Sequence, residues 1–550
     1  MAKGYRPVVR DQVFLLPPDM REWLPADHPV WLVIAVVGEH LDTSAFHAGR
    51  RTGGAGAAGY DPDMLLTVLV WAYAHQVSSS RDMERLCRTD VAFRVICGGN
   101  LPDHSTLARF RKEFPGAVGD LFGRVLVLCA RLGMGKVGTV ALDGTKVAAS
   151  ASRAANRTEE RLRKLAAEAV AAHAAADAAE DELFGDARGD EVPPDAWSPR
   201  RRAERIAAAL ADLEAERQAA EEAEAAKAEA FRARIAAGQA TGPAPAQAAV
   251  VLAREGVARE IARQRAKIGE WERARAAGRP VTRRPQDPQE YCRVRRARAK
   301  LGKALARAAE AERKAAEDKA AGKDKAPVRN ITDPDSRLMP VRGGGFIQGY
   351  NAQNVTSEDG LVITTELTDD PADYQWYEPM IAAAQDAAAM MAAHRPPAPG
   401  GEPAGDGEPE PGQIGLVLAD AGYCSEDNLT CAGPDRLIAT GKHRDLEKAA
   451  RAAGGDDGSD DSRGDGGGTA LAVMAARLAT DDGITAYRQR GHIAETPHGH
   501  IKHNMGFRQL TMRGKAKARA EWAFVCAVHN LFKALSTGHL TSQALTALAG

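Results

Sequence analysis

Residues 155–327 are dominated by Ala, Arg and Glu, and no other feature limits the fold of this chain as strongly. The aromatics, only 5% of the chain, cluster outside this stretch. Such a composition cannot build a conventional core and favours long helices that pair with one another. Gly- and Pro-rich breaks at residues 185–194, 238–245 and 278–288 let those helices turn back into hairpins. A helical arm is expected, and one compact core for all 550 residues is excluded.

With the arm set aside, the flanking segments read in the order βββαβαβα. Residues 139–147 place β-branched side chains around an Asp, and residues 346–354 and 361–367 read as a hairpin across a turn at 357–360. A helix over 373–393, a short apolar strand over 414–419 and a candidate strand at 437–440 follow. Upstream, residues 61–114 form short helices: Pro62 opens the first, Ser79 and Asp82 resemble a capping box, and a third starts near Ser105. Arg81, Arg85, Arg109, Arg111 and Lys112 give this module a basic face, read either as ordinary surface charge or as contacts to DNA phosphates. The expected divisions are an N-terminal helical domain (1–130), a first core strand (138–154) and the arm (155–329). The rest of the core (330–441, with a loose loop at 396–411), a flexible Gly/Asp-rich segment (442–484) and C-terminal core helices (485–536) complete the chain.

Lys plus Arg number 73 against 74 Asp plus Glu, a net charge of −1, so any site for a polyanion must be local. One such island is residues 501–533, where Lys502, Arg508, Arg513 and four further cations stand against Glu521, seven minus one giving +6. Glu521 itself is assigned to structure or surface. The longest strongly apolar run, 64–74, is far short of the roughly 20 residues that span a bilayer, and a soluble cytoplasmic protein is expected. The seven cysteines are scattered without a CxxC pair, against a disulfide framework or a zinc ribbon.

Asp143 lies mid-strand between Leu142 and Gly144, and Asp420 ends an apolar strand. A carboxylate is costly to desolvate at either position, so each asks for a counter-charge. Two carboxylates on adjacent strands with a third from a nearby helix form an oxygen cage for Mg²⁺ or Mn²⁺. Glu495, at an expected loop-to-helix transition, is the candidate third ligand, and Lys502, seven residues on, returns to nearly the same helix face. Taken singly, an Asp before Gly more often caps a turn. His492, Glu495, His498, His500 and His503 superficially suggest zinc, but Pro497 and Gly499 are expected to interrupt the helix that would align them. Asp177, Glu180, Asp181 and Glu182 read as a solvated face or as arm-to-arm ion pairing rather than a metal site.

As an ordered set, Asp143, Asp420, Tyr487, Arg490, Glu495 and Lys502 resemble the DDE transposases of bacterial insertion sequences, whose last catalytic acid lies in a Tyr-Arg-Glu-Lys motif. The segments Tyr60-Asp61-Pro62, Ser79-Ser80-Arg81-Asp82 and Pro102-Asp103-His104-Ser105 are similar to the amino-terminal helical domain of that superfamily. So are Asn330-Ile331-Thr332-Asp333 and Gly349-Tyr350-Asn351-Ala352-Gln353 to segments before and within its second strand. Asp181-Glu182-Leu183-Phe184-Gly185 and Lys502-His503-Asn504-Met505-Gly506-Phe507-Arg508 look like the branch numbered eleven-eighty-two.

The resemblance implies an α/β ribonuclease H-like catalytic core, an N-terminal all-helical DNA-binding domain and a long helical insertion after the first core strand. It implies Asp143, Asp420 and Glu495 as ligands of two Mg²⁺ or Mn²⁺ ions that promote strand cleavage and strand transfer. Tyr487, Arg490, Lys502, Arg81, Arg109, Arg111, Arg508 and Arg513 are the expected DNA contacts. The partners would be the element's terminal inverted repeats and target DNA, engaged by a homodimer or larger assembly, with no membrane and with nucleoid association in a bacterial cytoplasm. Relatives place Pro directly after the catalytic Glu and an aromatic before the Gly, whereas here Thr496 intervenes and His498 precedes Gly499. A DNA-binding repressor or decayed transposase, a metal-dependent nuclease of the same core and a purely structural arm protein are the competing readings.

Overall fold

The computed structural model describes residues 19–48, 59–113, 115–168, 199–237, 246–320, 328–341, 343–396, 412–441 and 470–549. The acidic cluster at 177–182, the 181–185 motif, nearly all of the loop at 396–411 and residues 442–469 of the segment 442–484 lie outside them. The rest of that segment, expected to be flexible, forms the helix Ala470–Leu478 and the start of the helix Asp481–Gly499. The chain forms two compact units, residues 1–155 with 332–550, and residues 156–331. It is mixed α/β, mostly helical, with one mixed sheet.

In the first unit, Asp61 caps the helix Pro62–Ala74 by accepting from the Asp63 amide, and Pro62 at the helix start has no amide to leave unpaired. Ten of its 13 residues are buried, as the apolar run requires. Ser79 caps Ser80–Thr89 by accepting from the Asp82 amide. These helices, with Pro115–Arg131, share one hydrophobic core with the sheet and with the C-terminal helix Lys515–Ser536, in which Trp522, Val525 and Cys526 are fully buried.

Strand β1 (Thr139–Ala148) is followed in sequence by β2 (Asn156–Thr158) and β3 (Val328–Asn330), which pair with each other in the second unit. The chain then gives β4 (Arg337–Pro340), β5 (Phe346–Ser357), β6 (Val362–Thr368), β7 (Leu416–Ala419) and β8 (Asp435–Ile438). The main sheet runs β4-β5-β1-β7-β8, with β6 also on β5. β5 is antiparallel to β1, β4 and β6, whereas β1, β7 and β8 are mutually parallel. The parallel half brings two acids together. Its register sets Leu142 beside Ala419, so Asp143 and Asp420 are the next residues of two neighbouring strands.

The second unit contains the helices Pro199–Ala236, Ala246–Ala276 and Cys292–Ala320. The expected break at 278–288 joins the last two. Its apolar packing is thin: Leu162, Ile206, Ala209 and Leu213 form one small cluster, and Ala228, Phe231 and Ala248 another. Buried Arg329 ties β3 to the first helix, 2.6 Å from Asp212 and also paired to Glu216. Among the described residues no helix is long and apolar enough to cross a membrane.

Candidate active site

Asp143 does not cap a turn. β1 continues through it and Gly144 to Ala148, with Asp143 opposite Asn354 of β5. Gly144 is required here because a Cβ would come within 2.7 Å of both Asp373 Oδ1 and Gln353 Nε2. Those two belong to a polar layer beside the strand, in which Asp373 accepts from Asn351 and Gln353, each at 2.7 Å. Lys146 completes the layer, its Nζ 3.4 Å from Asp373. Asp420 does cap locally, its Oδ1 accepting from the Gly422 amide at 2.9 Å, while its other oxygen faces Arg490.

Both acids turn to Arg490. The guanidinium Nη2 lies 3.0 Å from Asp143 and 3.6 Å from Asp420, so one cation bridges the ends of two parallel strands. Burial pushes the Asp143 carboxyl up, but His498 and Arg490 outweigh it and hold the group below the usual carboxylate range. Burial raises Asp420, helped by the charge of Asp143 and opposed by Arg490. Tyr487 donates to the Ala419 carbonyl at 3.2 Å, bracing β7 one residue before Asp420. Its hydroxyl, pushed up to about 12 by burial, is a structural donor.

Glu495 stands elsewhere in its helix than expected. The helix Asp481–Gly499 is capped by Thr480 and runs through Pro497, with Glu495 fifteen residues in rather than at a loop-to-helix transition. Pro497 forfeits one amide donor, and the Thr496 hydroxyl, at 2.5 Å, caps the His492 carbonyl one turn back. The helix then widens into a π turn, His500–Asn504, a local irregularity common at functional sites. Lys502 lies in it and donates to Thr145 Oγ1 at 2.5 Å and to the Lys146 carbonyl at 3.0 Å.

His498 is the residue whose role sequence reasoning missed. Trp522 Nε1, which can only donate, lies 3.2 Å from Asn354 Oδ1, and Thr365 Oγ1 donates to the same oxygen at 2.6 Å. The Asn354 amide nitrogen must therefore face His498 Nε2, 3.1 Å away. With Nε2 accepting, the imidazole carries its proton on Nδ1 and presents it to Asp143 Oδ2 at 3.4 Å. A buried chain from Trp522 thus orients the first carboxylate. The π turn sends His500 to a different partner, His529 at 2.9 Å.

Asp143, Asp420, Glu495, Arg490, His498, Lys502, Lys146 and Pro340 line one open cleft of about 580 Å³. The donor set suits a hard divalent cation, being carboxylate oxygen, and Arg490 is a stand-in for it, with its Nε buried and unpartnered. The three acids line the cleft without converging. Among the described residues, the only three such groups whose ligand atoms lie within 4.8 Å of one another are His47, Asp61 and Asp63. The five residues that superficially suggested zinc do not form such a group either.

Of the other expected DNA contacts, Arg81 and Arg109 are exposed. Arg111 is not available as expected: its guanidinium donates to the Ser78 carbonyl, Ser80 Oγ and the Tyr73 hydroxyl at 3.0, 2.6 and 2.9 Å. Arg508 folds back on the Lys502 carbonyl at 3.1 Å, and Arg513 on the Ser150 carbonyl at 2.9 Å. The basic island is partly neutralised, with Lys515 on Asp369 and Arg519 on Glu366. Glu521, far from the surface, accepts from Tyr73 at 2.7 Å and from the Thr511 and Met512 amides at 2.8 and 3.0 Å.

Residues 18–113 match the family described as transposase domain (DUF772), and residues 468–535 match the transposase DDE domain family. The two matches support a DDE transposase. The second contains Tyr487, Arg490, Glu495 and Lys502, while Asp143 and Asp420 lie outside both. No curated protein and no solved structure matches the chain.

Proposed function

We propose that this chain is an insertion-sequence transposase of the eleven-eighty-two branch, cutting element ends and joining them to target DNA on a ribonuclease H-like core. One observation carries the reading: Asp143 and Asp420 emerge side by side from neighbouring parallel strands, share one cation, and open on the cleft lined by Glu495 and Lys502. The sheet order fits that core, with three antiparallel strands led by β1 and two parallel ones beyond it.

Asp143 and Asp420, with Glu495 across the cleft, would hold Mg²⁺ or Mn²⁺. Such ions, when bound, supply Lewis-acid polarisation of a phosphodiester and ease deprotonation of the attacking hydroxyl. The chain's own residues do the rest. His498 fixes the rotation of the Asp143 carboxylate, and Tyr487 fixes the end of β7. Arg490 neutralises the paired acids when nothing else does, and Lys502 and Lys146 set positive charge along the β1 edge where a phosphate backbone would pass. No covalent enzyme nucleophile is involved.

Asp143→Asn and Asp420→Asn are each expected to lower cleavage of end DNA and joining of a pre-cleaved end by about 10³-fold or more, the loss of several kcal/mol. Binding of end DNA should stay within a few fold. Full activity in either variant removes the reading. The repressor alternative draws on the unconverged position of Glu495. It becomes the better reading if the parent protein binds ends specifically yet neither cuts nor joins with Mg²⁺ or Mn²⁺, and cutting without joining would favour the nuclease.

A further inference from the structure

In the helix Cys292–Ala320, Arg293, Arg296, Lys300, Lys303 and Arg307 recur at steps of three, four, three and four residues, and all five are exposed. That spacing keeps them on one face of an α-helix. Buried Val294 and half-buried Ala297, Leu301, Ala304 and Ala308 take the adjoining face. The stripe runs for about 21 Å, at about 1.5 Å per residue. Around it, residues 273–307 hold twelve Arg and Lys against Asp287 and Glu290, twelve minus two giving +10 in a chain of net charge −1.

A solvated helix face is the ordinary explanation of surface charge, and the same unit provides the comparison. The helix Pro199–Ala236 carries eight basic and eight acidic residues, net zero, the mixture expected of a face that meets only water. The stripe has no such mixture. Like charges three and four residues apart repel one another and destabilise the helix that carries them. Among the described residues the ion pairs of this hairpin are Arg263–Glu260, Arg284–Glu272 and Arg313–Glu317, none of which touches the stripe. A polyanion laid along it would relieve that repulsion.

We propose that this face of the arm docks on the phosphate backbone of duplex DNA without reading its sequence. The proposal rests on the reading of this chain as one that acts on DNA. A row of Arg and Lys neutralises phosphates. The stripe has no Asn or Gln for base edges, and no aromatic on which unpaired bases could stack, so it fits a duplex rather than a single strand.

The test is a full-length variant carrying Arg296→Gln, Lys300→Gln, Lys303→Gln and Arg307→Gln, which preserves helix propensity. Its matched control carries Arg217→Gln and Arg232→Gln in the mixed-charge helix. Anisotropy titrations with an end duplex and a shuffled duplex of equal length, over a KCl series, give the log-log slope of affinity against salt. The stripe variant should lose about 0.9 of slope per vanished phosphate contact, up to about 3.6, and lose affinity equally for both duplexes. The control should keep the parent slope. An unchanged slope, a loss confined to the end duplex, an equal loss in the control or a parent without affinity for duplex DNA each overturns the assignment. Joining of a short pre-cleaved end at low salt, measured on the same preparations, separates the two readings. Joining with an unchanged slope sinks only the arm, and the expected slope change without joining sinks only the catalytic reading.

Discussion

The cleft of the first unit and the basic hairpin of the second handle charge in opposite ways. In the cleft, side chains such as Asp143 and Arg490 are about 15% exposed, and each has a partner at a defined distance. On the hairpin the cations of the stripe project into water and repel their neighbours. The contrast decides what each can do. A buried charge is tolerated only with specific geometry, so its removal is felt sharply and locally. An exposed charge acts through a field that salt screens, so its removal is felt weakly, additively and less as ionic strength rises.

The largest stability effect is expected where a buried acid meets the most donors. Glu521→Ala leaves the Tyr73 hydroxyl and the Thr511 and Met512 amides without their acceptor inside the core shared by N-terminal helices and sheet. A cost of about 3 kcal/mol follows from several buried donors left unpaired, read as a marked fall in apparent melting temperature. Glu495→Gln, at an exposed position, should leave that temperature within a degree or so of the parent while lowering joining. Equal melting temperatures for the two variants would break the contrast between buried and exposed acids.

Next in size is the chain behind Asp143. His498→Asn retains a donor near the place of Nδ1, whereas His498→Leu keeps bulk and removes the donor. Groups that orient a ligand typically contribute 10- to 100-fold to metal affinity. His498→Leu is therefore expected to weaken Mn²⁺ binding by about that factor in calorimetry, with His498→Asn recovering most of it. Equal affinities in the two variants would leave His498 as packing alone.

How far this site could be read from residues follows from the same contrast. Asp143 and Asp420 stand out in sequence because each sits in an apolar run that gives a carboxylate no local reason to be there. Asn354, Asp373 and His498 give no such signal, because Asn354 comes opposite Asp143 through sheet register, Asp373 meets Gly144 from a distant loop, and His498 reaches Asp143 on a helix from a distant segment. Pro497 reads as a breaker, yet it forfeits a single amide donor, the partner of the Ile493 carbonyl, and the helix continues through it into the π turn. The order of strands was accessible because the arm's composition marks it as an insertion, while the sharing of one core by the N-terminal helices and the helix Lys515–Ser536 depends on contacts that span the chain.

The smallest expected effect separates two arginines that the sequence treats alike. Arg109 and Arg111 are two residues apart on the helix His104–Glu113, but only Arg109 is free to face solvent. Arg111 holds the start of the helix Ser80–Thr89 through Ser78 and Ser80. Arg111→Ala should therefore cost about 1 to 3 kcal/mol of stability, since it strips partners from half-buried acceptors, and leave the salt slope of DNA binding unchanged in the fraction that folds. Arg109→Ala should leave stability within about 0.5 kcal/mol and, if that face meets a phosphate, lower the slope by about 0.9. A stability loss at Arg109 or a slope change at Arg111 would reverse the assignment. An unchanged slope at Arg109 would instead take the helix His104–Glu113 out of the DNA interface and leave backbone contact to the cleft and the arm.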